Sequence, residues 1–128
     1  MEKNTYVLQA VRGAVQVQTN TVEKILESTI QLMNEIVSAN RLEPKEIISA
    51  FFTTTQDLNA EYPAAALRKM GWGHIPALCA HEMNVPGGMP MVLRVLIHCT
   101  VKKKNGSVVH QYLGRTAELR PDLKGDVQ

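Results

Sequence analysis

The stretch from residue 22 to residue 37 has helical periodicity, and it constrains the fold more than any other part of the chain. One face of it is made by residues three or four positions apart: Val22, Ile25, Leu26, Thr29, Leu32, Met33, Ile36 and Val37. This stripe predicts a long amphipathic α-helix, which needs a second layer of structure to cover it. Asn20 is expected to cap its start, with Glu23 in the capping-box position, and the helix should end near Asn40.

Runs rich in β-branched and aromatic residues supply that second layer. They predict strands at residues 6–17, 47–55, 74–80, 91–101 and 108–113. A shorter helix is predicted between the second and third runs, at residues 62–70. This order predicts an α+β fold, in which a mixed β-sheet carries the long helix on one face.

Two local features refine the strand predictions. Gly13, inside the first run, is interpreted as a bulge. The Asn105-Gly106 pair is typical of a tight turn, and it predicts a hairpin that returns residues 108–113 beside the preceding strand. Such a hairpin would let His98 and His110 face each other, but two histidines alone do not favour a metal site.

The composition indicates one domain over residues 1–128 and argues against several classes of function. A chain of this length can fold without disulfides, and Cys79 and Cys99 form neither a disulfide framework nor a zinc-ligand spacing. The net charge of +2 does not favour nucleic acid or an anionic membrane as a partner. No secretory signal or membrane-spanning run is recognised, so a cytoplasmic protein is expected.

Arg12 and Arg94 lie inside apolar strand patterns, where charged side chains are unusual. A buried guanidinium is costly unless it meets a carboxylate or a phosphate. Glu82 is the one acid near these strands, so a structural Glu82–Arg94 ion pair is one interpretation. The other is a cavity in which both arginines await an anionic ligand, because a guanidinium binds a carboxylate through two parallel hydrogen bonds.

The sequence lacks the motifs of nucleophilic, metal-dependent and nucleotide-dependent enzymes. Considered one at a time, Cys79 is interpreted as a small buried hydrophobic residue and Tyr112 as a core aromatic residue. No cofactor and no metal ion are therefore predicted from the residues.

Five segments, taken in order, resemble the AroH class of monofunctional chorismate mutases. They are VRGAVQV, DLNAEYPAAALRKMGW, IPALCAHEMNVPGGMPMVLRVLIH, HQYL and LRPDL, and they extend from about residue 8 to residue 123. The resemblance implies a homotrimeric pseudo-α/β-barrel with active sites between neighbouring subunits. It also implies the rearrangement of chorismate to prephenate, a [3,3] shift on the route to phenylalanine and tyrosine that uses no cofactor.

The resemblance assigns roles to matching residues. Arg94 should face the ether oxygen of the breaking bond, and Arg12 should hold a carboxylate and face Glu82. Glu82 should accept a hydrogen bond from the ring hydroxyl, with Cys79 close by. Tyr112 should bind the side-chain carboxylate.

The same resemblance places further residues at the edge of the site. Arg68 and Tyr62 should come from the adjoining subunit, whereas Leu119 and Arg120 belong to a mobile C-terminal tail over residues 115–128. Three positions depart from the expected pattern, namely Tyr62 for phenylalanine, Ala65 for lysine and Leu78 for threonine. The rival interpretations are a trimeric enamine/imine deaminase of related architecture and a non-catalytic carboxylate-binding protein.

Overall fold

A mixed five-stranded β-sheet with one long helix on its face forms the framework of the molecule, as the computed structural model of residues 5–122 shows. Its strands are β1 (Tyr6–Gln16), β2 (Ile47–Thr54), β3 (Ala77–His81), β4 (Val92–Lys102) and β5 (Gln111–Tyr112). Its α-helices are α1 (Val22–Ala39) and α2 (Ala65–Lys69). The strand order is β3-β2-β4-β1-β5, with parallel pairing only at the two ends of the sheet. The predicted α+β class and mixed sheet are confirmed.

Helix α1 follows the predicted periodicity but begins at a different cap. Thr21 is extended, and its hydroxyl accepts a hydrogen bond from the Lys24 N–H at 3.1 Å. The predicted cap, Asn20, is wrong because its side-chain oxygen Oδ1 already accepts the backbone N–H groups of Asn59 and Ala60. The helix ends at Asn40, as predicted.

The core lies between α1 and one face of the sheet. The buried stripe of the helix packs against alternate residues of the three central strands, among them Val11, Phe52, Leu93 and Ile97. Each of these side chains is fully buried, because strand alternation sends every second residue to the same face. Within residues 5–122, no helix is long and apolar enough to cross a membrane.

Gly13 is not a bulge, because β1 and β4 pair in unbroken register through Gly13 and Val95. The glycine is required for a different reason. A Cβ at this position would come within 2.8 Å of Ile36 Cδ1 and 3.1 Å of the Gln111 carbonyl oxygen. The irregularity in the sheet lies instead in β2, between Ile47 and Ser49.

The predicted hairpin is also wrong. After β4 the chain makes a short 3-10 turn at Lys103–Asn105, and β5 then pairs in parallel with β1. Both edges of β4 are already occupied by β1 and β2, so the last strand has to pair at the far edge of β1. Consequently His98 and His110 are not opposite each other: His98 faces Ser49, and His110 contacts β1.

The sheet face opposite α1, called the open face below, carries a row of exposed apolar side chains, and within residues 5–122 the segment after β5 covers only its Ala14 and Tyr112 end. Phe51 is paired with Leu96 on one side and with Leu78 on the other, which gives a cross-strand row of large side chains. Their exposed fractions are 47%, 36% and 62%, and Leu8 on the same face is 64% exposed. Apolar side chains that are exposed side by side mark an interaction surface.

Replacing Gly13 by alanine is expected to lower the free energy of unfolding by about 1–3 kcal/mol, because the new methyl group overlaps Ile36 and the Gln111 carbonyl. Gly73→Ala is the matched control, since its Cβ would lie 3.7 Å from Arg68 Cγ, an ordinary contact. That variant should keep its stability or gain up to about 1 kcal/mol. Urea denaturation followed by circular dichroism measures both, and equal stabilities would contradict the close packing of α1 on β1.

Candidate active site

Strand register places Arg94 in the middle of the open face. Arg94 is paired with Ala14 of β1 and with Thr53 of β2, and Tyr112 of β5 is paired with Ala14 on the other side. Residues paired across strands point to the same face, so Arg94 and Tyr112 share a face with Ala14 between them. Alternation along β4 turns Arg94 away from α1. On the α1 side its charge would be buried among apolar side chains.

Three guanidinium groups and one phenol converge on a cleft of about 320 Å³ on this face. This cleft, called the arginine cleft below, is lined by Arg12, Arg94, Tyr112 and Arg120, together with residues of β2 and β4 that are mostly apolar. Arg12 enters it from β1, where its strand partner is Leu96. Two of these guanidinium groups are paired with acids, Arg94 with Glu82 and Arg120 with Asp122, and each keeps further N–H groups that can donate to a ligand carboxylate.

Glu82 and Arg94 form an ion pair beside this cleft, as one interpretation of the sequence predicted. Arg94 Nε lies 3.0 Å from Glu82 Oε2, and the two side chains are 37% and 22% exposed. Both atoms are buried, yet neither has a hydrogen-bond partner in good alignment, so charge attraction holds the pair together. The contact uses Nε only, and the Nη nitrogens carry the other N–H donors of the guanidinium.

A second cleft, of about 420 Å³, lies on the other side of Arg94. It is formed by the loop after β3, and Glu82, Arg94 and Leu119 are among its lining residues. Arg94 therefore lies between two adjacent clefts. Arg12 and Glu82, which the resemblance expected to face each other, line different clefts that Arg94 connects.

Tyr112 lies in the wall of the arginine cleft and is only 5% exposed. Burial raises the pKa of its phenol, the neighbouring charge of Arg94 lowers it, and the carboxylate of Asp122 raises it. Burial is the largest of these causes. The hydroxyl therefore stays protonated at neutral pH and can donate a hydrogen bond to an anion.

Arg120 reaches the cleft from the segment that follows β5. This segment forms a 3-10 helix at Gly114–Leu119, and Thr116 anchors it by donating a hydrogen bond to the Ala14 carbonyl at 3.0 Å. Arg120 binds both carboxylate oxygens of Asp122, through Nε at 3.0 Å and Nη2 at 2.7 Å. Residues 123–128 of the predicted mobile tail lie outside the described residues.

The family model for chorismate mutase type I matches residues 8–123 of this chain. The chain belongs to the chorismate mutase type I family. It is 35% identical over 118 residues to a protein named chorismate mutase AroH from Bacillus subtilis, covering 91% of this chain and 93% of that protein. It is 36% identical over 119 residues to chorismate mutase AroH from Thermus thermophilus, covering 92% and 98%.

A solved structure of a chorismate mutase from Clostridium thermocellum has the same fold, with a TM-score of 0.77 and 40% sequence identity. The match covers 82% of this chain and 94% of that one. The predicted membership of the chorismate mutase family is thus confirmed by sequence and by fold.

Three residues that the family resemblance assigned to the site lie away from the arginine cleft. Cys79 and Tyr62 line a third cleft, of about 340 Å³, and Arg68 is exposed near the end of α2. Cys79 is on the helix side of β3, opposite Phe52, and burial raises the pKa of its thiol. A single chain thus brings Arg12, Arg94, Tyr112 and Arg120 together in the arginine cleft, with Glu82 and Leu119 in the adjoining one. It leaves Cys79, Tyr62 and Arg68 apart from them.

The sequence did not identify the partners that hold the site residues in place. Asp122 lies in the LRPDL segment, where the Arg-Pro-Asp spacing is a usable signal for its local ion pair with Arg120. Thr53 was not singled out, and His110 was considered only as a partner of His98, because the contacts that both residues make depend on strand register. Within residues 5–122, no group of three or more His, Cys, Asp or Glu residues could hold a metal ion.

The phenol of Tyr112 is expected to titrate above pH 10, its ordinary value, because burial outweighs the charge of Arg94. The neutral phenol is favoured in the folded state, so its contribution to stability is present below pH 10 and is lost as the pH rises through the folded pKa. Ultraviolet titration of phenolate absorbance, wild type minus Tyr112→Phe, isolates this group. A midpoint at or below pH 10 would contradict the buried position.

Proposed function

We propose that this chain converts chorismate to prephenate by electrostatic stabilisation and by selection of the reactive conformer. The observation that carries the proposal is the position of Arg94, whose guanidinium lies in a cleft that also contains Arg12, Arg120 and Tyr112. Chorismate carries two carboxylates, so a cleft with several fixed donors complements its charge. Membership of the chorismate mutase type I family supports the same reaction.

The reaction is a rearrangement within one molecule, so a catalyst has two routes to a lower barrier. One C–O bond breaks while one C–C bond forms, and negative charge grows on the ether oxygen as the first bond lengthens. A fixed donor at such an oxygen stabilises the transition state by about 3 kcal/mol when water is excluded. Arg94 supplies that donor through an Nη nitrogen, while the cleft walls hold the compact conformer in which the two ends meet.

The other residues of the site have binding and aiming roles. Arg12 and Tyr112 hold the carboxylates, and Arg120 adds the N–H donors that its pairing with Asp122 leaves unused. Because the carboxylate charges are present throughout the reaction, these contacts stabilise ground state and transition state alike. Glu82 holds the guanidinium of Arg94 in place through the 3.0 Å contact. The second carboxylate oxygen of Glu82 is then available to accept a hydrogen bond from the ring hydroxyl of the substrate.

The complete site is proposed to form between the subunits of a homotrimer. The open face exposes Phe51, Leu78 and Leu96 in one cross-strand row and Leu8 further along β1. Covering them with another subunit would remove a large apolar area from water. Arg68 and Tyr62 lie apart from the arginine cleft of their own chain, so a neighbouring chain is the source from which they would complete it. Closed cyclic symmetry then gives equivalent sites, one at each interface.

We also propose a cellular setting for this reaction. Prephenate would feed the synthesis of phenylalanine and tyrosine, and the enzyme would act in the cytoplasm. No cofactor has a step to perform in this scheme, because no atom or electron leaves the substrate.

Wild-type protein mixed with chorismate should consume it, followed as loss of the substrate's ultraviolet absorbance. Arg94→Lys keeps a positive charge but loses the planar fork, so kcat should fall by about 100-fold or more while circular dichroism stays unchanged. Arg41→Lys is the matched control, because Arg41 is exposed and, within residues 5–122, its only side-chain hydrogen bond is a long one of 3.5 Å to the Asn105 carbonyl.

The outcomes of this assay separate the alternatives. Near-normal turnover in Arg94→Lys would refute the role of Arg94. A wild type that binds dicarboxylates without consuming chorismate would instead be a carboxylate-binding protein. Turnover of an enamine or imine substrate in place of chorismate would identify a deaminase.

Mixing two inactive variants tests the shared site. Arg68→Gln and Arg94→Lys subunits, refolded together, should recover activity in about a quarter of the sites, where an intact Arg68 meets an intact Arg94. The matched control is a mixture of Arg12→Gln and Arg94→Lys, whose lesions fall on the same side of the interface and leave every site damaged. Equal activity in the two mixtures would contradict sites built from two subunits.

A further inference from the structure

Strand β5 carries Tyr112 into the cleft although it has only two residues. Its ladder to β1 consists of the pairs Gly13–Gln111 and Ala14–Tyr112, and Leu113 adds one hydrogen bond to the Ala14 carbonyl at 2.9 Å. So short a strand gains little stability from its own pairing. Side chains must therefore hold the segment before it.

Asn40 is the first of these side chains. Its Oδ1 accepts the Val109 N–H at 2.7 Å, and its Nδ2 donates to the Val109 carbonyl at 2.9 Å. Asn40 is 6% exposed and also caps the end of α1 by donating to the Ile36 carbonyl. The backbone N–H and carbonyl of Val109, the residue before His110, are thus both held by Asn40 at the end of α1.

His110 makes the contact that reaches the site. The backbone N–H of Arg12 donates to His110 Nδ1 at 3.0 Å, across 98 residues of sequence. A longer β5 would offer a main-chain carbonyl to this N–H, whereas here an imidazole nitrogen takes that place. Because Nδ1 accepts, the proton of the neutral ring is on Nε2.

We propose that His110 is a positioning residue that fixes Arg12 relative to Tyr112. Both of these residues line the arginine cleft, one on β1 and one on β5. The hydrogen bond from the Arg12 N–H to His110 joins β1 to the chain two residues before Tyr112. The imidazole of His110 is not itself part of the cleft lining. This inference rests on the proposed function, since it names Arg12 and Tyr112 as carboxylate-binding groups.

The position of His110 predicts which kinetic constant it controls. Arg12 and Tyr112 hold charges that do not change during the reaction, so misplacing them weakens the ground state and the transition state equally. The effect should then appear in KM, with kcat changed little. Loss of Arg94, by contrast, should appear in kcat.

The test compares three proteins: wild type, His110→Ala and His110→Asn. Alanine removes the acceptor, whereas the Oδ1 of asparagine can take the place of Nδ1 but carries no ring. We expect KM for chorismate to rise about tenfold in His110→Ala, with kcat within about threefold, and to return to within about threefold of wild type in His110→Asn. His74→Ala is the control, because His74 is exposed and, in the part of the chain that the structure describes, the one side-chain hydrogen bond of its ring is to the Pro44 carbonyl.

Hydrogen–deuterium exchange at the Arg12 amide supplies a readout that does not depend on turnover. The amide should exchange faster in His110→Ala and stay protected in wild type and His110→Asn. An unchanged KM in His110→Ala, or a KM raised equally by alanine and asparagine, would overturn the inference. If wild-type protein does not convert chorismate but its Arg12 amide is protected, the proposed function is overturned, and with it the role of His110 in binding substrate. The hydrogen bond between Arg12 and His110 would still hold the two segments together.

Discussion

A guanidinium in a central strand cannot lie between two apolar layers, and this constraint organises the molecule. Arg94 therefore points away from α1, and the sheet has helix cover on one side only. Its charge is compensated by Glu82 at 3.0 Å, a residue delivered by the end of β3. The side left open by the helix is where the clefts form and where large apolar residues remain exposed.

Local patterns in the sequence predicted the elements well, whereas long-range pairing was predicted poorly. Helix α1 was found because its periodicity is encoded within its own residues. Its cap was missed because Asn20 and Thr21 are both good caps, and only the position of the Asn59–Ala60 backbone decides between them. The hairpin after β4 failed for a similar reason, since the turn signal at Asn105-Gly106 says nothing about which strand edges are occupied.

The site was predictable where chemistry alone identifies a residue. An arginine in an apolar strand and one nearby acid were enough to suggest the Glu82–Arg94 pair. The grouping of Arg12 with Tyr112 needed the resemblance, because their proximity depends on a parallel pairing that no local rule indicates. The supporting roles of Asp122 and His110 were not predicted, because these residues bind other protein groups. Arg68, which the resemblance assigned to the site, lies outside the arginine cleft of its own chain.

Gly13 links the packing of α1 to the shape of the arginine cleft. The glycine lines the arginine cleft on one side and leaves no room for a Cβ toward Ile36 and Leu32 on the other. At this point a single strand of backbone separates the hydrophobic core from the cleft. A bulkier side chain at residue 32 or 36 would therefore press on the backbone next to Arg12, so the packing of α1 sets the shape of the cleft on the opposite side of the sheet.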